Sequence, residues 1–321
     1  MIEGTSLSKK YGTHLAVDDV SFNIQKGEIV GFLGPNGAGK STIMNIVTGY
    51  LSLTEGKVTV DGYDVLESPE EAKRRIGYLP EIPPLYVDMT VREYLYFIYD
   101  LKKAKFPKKP HIDEIINLVK IENVSERLIK NLSKGYRQRV GIAQALVGNP
   151  DVLILDEPTV GLDPKQIIEI RNLIARLGKN HTIILSSHIL SEIQAVCKRV
   201  IIINKGKLVA DDTPDNLSKT LSNDQSVVVR VNGTQDEITR ILEGVKDVEK
   251  VVCLGQKEKG TNDYVVTPKE DADIRAGIST RLAERGKTIL SLTSNQLSLE
   301  QVFMRLTYEN DMSETKQGEE E

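Results

Sequence analysis

Short apolar runs alternate with segments of helical periodicity from the start of the chain to about residue 217. The runs that predict strands are 27–33, 57–60, 152–155, 182–185 and 200–203. Each is as long as one buried strand, and helix-like stretches separate them. An alternation of strands and helices favours an α/β fold with a largely parallel sheet, so we assign residues 1–217 to one domain of that class.

Residues 90–148 break this alternation. Strand patterns vanish there, and apolar residues recur at helical spacing over 91–101, 112–119 and 138–146. We interpret this segment as a helical subdomain inserted in the α/β core.

A polar stretch at 213–224 marks a boundary, beyond which the predicted order is βαββαβ. The predicted elements are strand 226–231, helix 236–242, strands 249–254 and 264–267, helix 273–283 and strand 288–294. That order predicts a small α+β ferredoxin-like domain over 225–308. A last helix over 299–306, capped by Ser298, and a disordered acidic tail over 309–321 complete the prediction.

A glycine-rich loop follows the first buried strand and fits the pattern G-x-x-x-x-G-K-[ST]. Its residues are Gly34, Pro35, Asn36, Gly37, Ala38, Gly39, Lys40 and Ser41. In such a loop the backbone N–H groups converge on phosphate oxygens, and a helix that continues from Thr42 adds the partial positive charge of its N-terminus. We expect Lys40 to reach the β- and γ-phosphates and Ser41 to bind Mg²⁺. A dinucleotide-binding fingerprint would need glycine at position 42, where this chain has threonine, so the loop does not fit that alternative.

Two carboxylates, Asp156 and Glu157, follow the apolar run 152–155. A phosphate-binding loop needs a carboxylate at the end of a buried strand to hold the metal, which is the role expected of Asp156. Glu157 is placed to polarise the attacking water as general base. His188 follows the run 182–185. The residues alone leave open whether it contacts the γ-phosphate or is a surface histidine.

A further motif lies between the glycine-rich loop and the carboxylates. It reads Leu132, Ser133, Lys134, Gly135, Tyr136, Arg137, Gln138. This segment resembles the LSGGQ signature loop of the ABC ATPase family, and the resemblance covers residues 1 to about 217 in the expected order. It implies a P-loop NTPase core of the ABC type that binds and hydrolyses ATP.

The resemblance also implies roles for individual residues. Ser133 and Gly135 would contact the γ-phosphate of ATP bound to the other subunit, which the N-terminus of a helix favours physically. Tyr11 would stack on adenine, Asp163 lies in the D-loop segment, and His188 matches the switch histidine. Residues 34–42 look like the Walker A loop, and Asp156 and Glu157 look like Walker B.

The chain departs from the family pattern at two places. Glu81 stands where the family usually has glutamine; its carboxylate can face Mg²⁺ but cannot donate a hydrogen bond as an amide does. In the signature loop, Lys134 replaces the first glycine and Tyr136 replaces the glutamine. Ser133 and Gly135 remain, so the contact with the partner's ATP is retained as an expectation.

Composition bears on the partners. The formal net charge is -4, which argues against a protein held to nucleic acid by bulk positive charge. The longest apolar runs are about one strand long, whereas a transmembrane helix needs roughly 20 apolar residues, so another chain must cross the membrane if this protein acts on one. The resemblance implies that this other chain is a separate integral membrane permease. The resemblance implies a homodimer of nucleotide-binding subunits, loaded with ATP and Mg²⁺, at the cytoplasmic face of the membrane. It places the permease contact beside Glu81 and the helical subdomain.

The finer similarity is to gliding-motility-type and multidrug-type ATPase subunits, which points to export. A second hypothesis is an ABC ATPase that acts on DNA or ribosomes. DNA-repair members carry long coiled-coil inserts between Walker A and the signature, whereas the interval 41–132 has no sustained heptads. Translation-type members usually carry two ATPase units, and this chain has one. In a third interpretation, the C-terminal domain senses a ligand, which is compatible with transport; dimer stabilisation is our expectation for it.

Overall fold

The chain forms two units in the computed structural model, Met1–Pro214 and Asp215–Glu321. The structure describes residues 1–221, 226–256, 258, 260–269 and 272–294. The predicted helix 299–306, its cap Ser298 and the tail 309–321 lie outside these residues.

The first unit contains ten strands, seven α-helices and two short 3-10 helices (Glu122–Val124 and Ile129–Asn131) among the described residues. Its strands are β1 (Ile2–Tyr11), β2 (His14–Ile24), β3 (Ile29–Leu33), β4 (Glu55–Val60), β5 (Tyr63–Asp64), β6 (Ile76–Leu79), β7 (Val152–Asp156), β8 (Thr182–Ser187), β9 (Arg199–Asn204) and β10 (Lys207–Asp212). Its helices are α1 (Lys40–Val47), α2 (Pro69–Arg74), α3 (Val91–Leu101), α4 (Lys108–Val119), α5 (Lys134–Leu146), α6 (Pro164–Leu177) and α7 (Leu190–Val196).

A six-stranded sheet of order β10-β9-β3-β8-β7-β6 forms the centre of this unit. All its pairs are parallel except β10 with β9. Every residue of β7 and β8 is buried, as expected for parallel strands covered on both faces. The predicted α/β core is therefore confirmed. Because β3, β7 and β8 run in the same direction, the loops that follow them meet at one edge of the sheet.

A second sheet, of order β2-β1-β4-β5, is wholly antiparallel, and the sequence did not predict it. We predicted the run 57–60 as one strand of a largely parallel set, but β4 pairs antiparallel with β1. The strands β1 and β2 were missed. Their ladder has several register shifts, and Ser6 and Asp19 have positive φ angles, so the apolar residues do not alternate cleanly with polar ones.

The helices α3, α4 and α5 lie within residues 90–148, for which the sequence predicts a helical subdomain. Two of them begin four residues earlier than predicted, α4 at Lys108 and α5 at Lys134. Their first turns are mostly polar, and periodicity of apolar residues cannot detect such turns. The start of α5 is set by Ser133, whose side chain accepts a hydrogen bond from the backbone N–H of Tyr136.

The second unit has the element order βαββαβ after α8 (Pro214–Leu221). The elements are β11 (Val227–Asn232), α9 (Gln235–Glu243), β12 (Val248–Gln256), β13 (Thr261–Pro268), α10 (Arg275–Glu284) and β14 (Ile289–Ser294). The sheet order is β12-β13-β11-β14, and every pair is antiparallel. Apolar residues from these strands and from α9 and α10 form a core of their own. The helix α8 lies in the stretch 213–224 that the sequence analysis interpreted as a polar boundary.

Candidate functional site

The glycine-rich loop connects β3 to α1 and approaches other backbone closely. An added Cβ on Gly34 would lie 2.3 Å from the carbonyl oxygen of Ile203 on β9. Gly39 is the N-cap of α1 with a φ of 104°, a conformation that side-chain-bearing residues rarely adopt. Both glycines are therefore required by the loop geometry, which leaves the N-terminus of α1 open to a ligand.

Lys40 is buried although it carries a charge, with only 6% of its surface exposed. Its Nζ donates hydrogen bonds to the carbonyl oxygens of Gly34, at 2.7 Å, and Pro35, at 3.1 Å. Burial lowers the pKa of Lys40, and the negative charges of Glu157, Asp156 and Glu81 oppose that shift. An ammonium group inside a loop of N–H donors is suited to an anion with several negative charges.

Asp156 ends β7 and is 2% exposed. Its Oδ1 is buried and has no hydrogen-bond partner among the described residues. A buried acceptor of this kind is costly unless a cation, a water or a ligand completes it. Asp156, Ser41 and Glu81 all line one groove of about 950 Å³.

Glu157 and His188 are brought together by the parallel pair β7 and β8. The backbone N–H of Glu157 donates to the carbonyl of Ser186, and its φ of 48° lies in the left-handed region. His188 Nδ1 lies 2.9 Å from each carboxylate oxygen of Glu157. Burial raises the pKa of Glu157, while the hydrogen bond and charge of His188 and the charge of Lys40 act in the opposite direction. A carboxylate with a raised pKa, held by an imidazole, is a suitable proton acceptor.

A cavity of about 610 Å³ joins these groups. The predicted site residues that line it are Tyr11, Asn36, Gly37, Ala38, Gly39, Lys40, Ser41, Thr42, Glu81, Glu157 and His188. Its volume lies in the range of small-molecule sites. Tyr11 is 49% exposed, and its ring lies 5.5 Å from Nζ of Lys9. An exposed aromatic ring at the rim of the cavity is available for stacking on a base.

Ser133, Gly135 and Asp163 do not line this cavity in the part of the chain that the structure describes. Gly135 and Asp163 line a smaller cavity of about 250 Å³. Ser133 and Asp163 are the N-caps of α5 and α6, and each accepts a hydrogen bond from a backbone N–H. A single chain therefore carries the glycine-rich loop and the predicted signature residues at two different sites.

Two residues at the site, His14 and Glu192, were missed by sequence reasoning. His14 lines the cavity, although the sequence analysis gave it no role. Its place three residues after Tyr11, across a tight hairpin, was the available signal. Glu192, on the helix that follows His188, contacts Thr159 and Ser187. No motif contains Glu192, so only the tertiary structure reveals it.

Comparison with known proteins gives consistent results. The family model described as ABC transporter matches residues 17–160. The bacitracin transport ATP-binding protein BcrA of Bacillus licheniformis is 36% identical over 95% of this chain and 97% of its own length. The linearmycin resistance ATP-binding protein LnrL of Bacillus subtilis is 31% identical over 96% of this chain and 98% of its own. A dimeric ATP-binding cassette solved with ADP and phosphate is 26% identical and superposes with a TM-score of 0.61, covering 66% of this chain and 98% of that one.

The fold and the cavity define a P-loop ATPase with an inserted helical subdomain. The chain belongs to the family of ABC transporter ATP-binding proteins. It is an ATP-binding and ATP-hydrolysing subunit of an ABC transporter. The alternative of an ABC ATPase that acts on DNA or ribosomes is not favoured, since the two relatives named above, matched over 97% and 98% of their length, are named for transport and resistance.

Within the described ranges, every helix is too short or too polar to cross a lipid bilayer.

Proposed function

We propose that two copies of this chain pack head-to-tail, bury two molecules of ATP between them, and thereby drive a separate membrane permease. The observation that carries the proposal is the separation of two anion-binding features on one chain. The loop before α1 lies at one cavity and the N-terminus of α5 at another. Each would complete the other only if a second copy supplied it. A similar ATP-binding cassette, solved with ADP and phosphate, is a dimer.

Three side chains of the glycine-rich cavity would act on the terminal phosphate. Lys40 would exchange the carbonyls of Gly34 and Pro35 for phosphate oxygens, because an ammonium prefers charged acceptors to neutral ones. Glu157 would accept a proton from the attacking water. His188 would hold Glu157 in place and contact the γ-phosphate. Tyr11 would stack on the adenine base.

A second copy would contribute Ser133 and Gly135 to the same phosphate. The first turn of α5 contains no acidic residue, so its N-terminal N–H groups and partial positive charge are available to an anion. Asp163 would lie near the junction of the two copies, since it lines the same small cavity as Gly135. Hydrolysis would remove these contacts and let the copies separate, which links the chemistry to a motion.

The donor set beside the phosphate site fits Mg²⁺. The orphaned Oδ1 of Asp156, the hydroxyl of Ser41 and the carboxylate of Glu81 are hard oxygen ligands. Mg²⁺ is usually held by one or two carboxylates together with substrate phosphates rather than by a protein cage. Bound there, it would neutralise charge on the β- and γ-phosphates.

The groove beside Glu81 is our candidate for the permease contact. It is lined by residues of both the α/β core and the helical subdomain, and the apolar side chains Tyr50 and Ile82 are 84% and 83% exposed beside it. Apolar groups presented in this way are typical of protein interfaces. We infer a peripheral position at the cytoplasmic face of the membrane and, from relatives named for transport and resistance, export. Co-purification with a multi-span membrane protein tests this part.

The dimer is tested with Glu157→Gln, which keeps the shape of the side chain but removes the proton acceptor. We expect this variant to bind ATP, to become a dimer in ATP during size-exclusion chromatography, and to hydrolyse ATP about 100-fold more slowly or worse. The matched control adds Ser133→Ala to Glu157→Gln and should stay monomeric in ATP. Equal turnover in Glu157→Gln and the parent, or a dimer that ignores Ser133→Ala, would refute the proposal.

A further inference from the structure

A buried carboxylate lies behind the candidate catalytic pair. Glu192 is on α7, the short helix that follows His188, and only 2% of its surface is exposed. No cation is paired with it among the described residues. Because a buried ionisable group is costly unless its hydrogen bonds compensate, its partners are informative.

Two hydroxyl groups converge on one oxygen of this carboxylate. Thr159 Oγ1 donates to Glu192 Oε2 at 2.5 Å, and Ser187 Oγ donates to the same oxygen at 3.1 Å. Both donors are buried, at 4% and 0% exposure. Ser187 Oγ also accepts from the backbone N–H of Ile189, which fixes the hydroxyl between the strand β8 and the start of α7.

The two donors lie next to the catalytic pair in the chain. Thr159 is in the loop after β7, two positions after Glu157, and Ser187 is the last residue of β8, immediately before His188. Glu192 therefore connects the segment that carries Glu157 to the segment that carries His188. The pair they carry is a contact of 2.9 Å between side chains, and Glu157 has a left-handed backbone conformation that its surroundings must maintain.

Stability alone does not account for this arrangement. Oε1 of Glu192 is buried without a hydrogen-bond partner among the described residues, so the carboxylate is incompletely satisfied. An apolar side chain of similar size would avoid that cost. The cost is understandable if a single acceptor must hold two hydroxyls from different segments of the chain at a fixed separation.

We propose that Glu192 is a positioning residue for ATP hydrolysis, holding Glu157 and His188 in their mutual orientation through Thr159 and Ser187 without touching the nucleotide. The inference rests on the proposed roles of Glu157 and His188. A displacement of a reacting group by about 1 Å can cost on the order of 100-fold in rate. Loss of the hydrogen bonds from Thr159 and Ser187 to Glu192 should therefore lower kcat. It should leave ATP binding intact, because the phosphate-binding loop takes no part in these hydrogen bonds.

The experiment compares steady-state ATPase kinetics and equilibrium ATP binding for matched variants of the full chain. Thr159→Val removes the donor but keeps the shape of the side chain, whereas Thr159→Ser keeps the donor. We expect kcat to fall about 10- to 100-fold in Thr159→Val and in Glu192→Met, which removes the acceptor at similar size, with KM and the Kd for ATP within about threefold. Thr159→Ser should remain near the parent. Equal kcat in Thr159→Val and Thr159→Ser would overturn the proposal.

A double-mutant cycle separates positioning from a general structural role. In a His188→Ala background, Glu192→Met should cause little further loss of kcat, since the mutual orientation of Glu157 and His188 no longer matters once the imidazole is gone. A full additional loss would show that Glu192 acts elsewhere and would overturn the inference. Failure of the proposed function is a distinct result, namely parent-like turnover in Glu157→Gln.

Discussion

At the scale of single residues, the candidate site is a place where charges are kept buried. Lys40 and Glu157 are each 6% exposed, and burial shifts both pKa values toward the neutral form. Their opposite charges offset part of that cost. A site prepared for a polyanion and a water should thus be less stable when empty than an uncharged version of itself.

We therefore predict that Glu157→Gln stabilises the nucleotide-free protein at neutral pH. The pKa of Glu157 is raised in the folded state, so above that pKa the folded protein must hold an ionised group that the unfolded chain solvates better. Below the pKa of the unfolded chain, both states are protonated and the difference vanishes. Urea unfolding at pH 7.5 and pH 4 measures the effect, which should shrink at the lower pH.

The surface carboxylate Glu67 offers a control, since Glu67→Gln should change the free energy of unfolding little at either pH. A destabilising effect of Glu157→Gln at pH 7.5 would show that the contact with His188 outweighs the burial of the charge.

At the scale of elements, two helices of the subdomain begin in contrasting ways. The start of α3 has a capping box, in which Thr90 accepts from the N–H of Glu93 at 3.2 Å and Glu93 accepts from the N–H of Thr90 at 2.8 Å. The start of α5 has a serine cap but no acidic residue, and Lys134 stands in its first turn. A cation at this position opposes the helix dipole, and no side chain of the first turn neutralises the positive end of the helix. An anionic ligand would neutralise it.

The cap of α3 provides a prediction for the stability of the subdomain. Thr90→Ala should lower the free energy of unfolding by about 1 kcal/mol, because it leaves the N–H of Glu93 without its acceptor. Thr90→Ser keeps the hydroxyl and should lose a few tenths of a kcal/mol at most. Chemical denaturation of both variants measures the difference. Indistinguishable midpoints would mean that the cap contributes nothing, and ATP affinity should be the same in both.

At the scale of the whole molecule, the chain has separate hydrophobic cores. One core packs the two sheets of the first unit around α1, and another fills the second unit beneath α9 and α10. Every residue that we assign to the nucleotide lies in the first unit. A destabilising substitution should therefore weaken ATP binding only if it lies in the core of the first unit.

Leu242→Ala tests this division, since Leu242 is fully buried on α9. The substitution should destabilise the second unit by about 2–5 kcal/mol and leave the Kd for ATP unchanged. Ile43→Ala, at a fully buried position of α1, should cost a similar amount and also weaken ATP binding. Isothermal titration calorimetry and thermal unfolding measure the two effects. Weaker ATP binding in Leu242→Ala would contradict the division.

The sequence by itself determined what depends on contiguous residues. The loop 34–42 and the strand that precedes Glu157 are local patterns, because each needs only a particular order of glycines or apolar residues. The composition of the site could be anticipated for the same reason. Strand pairing could not, since the hairpin ladder of β1 with β2 is irregular and β1 also pairs with β4, which lies far from it in the chain.

Only the tertiary structure decided which of these local features meet. The parallel register of β7 with β8 places Glu157 against His188, and the fold brings Glu192 under Thr159 and Ser187. In the sequence Glu192 is an ordinary glutamate in the first turn of a helix, where most such residues are solvated. Burial and partners arise from how remote segments pack, and no spacing of residues along one segment encodes them.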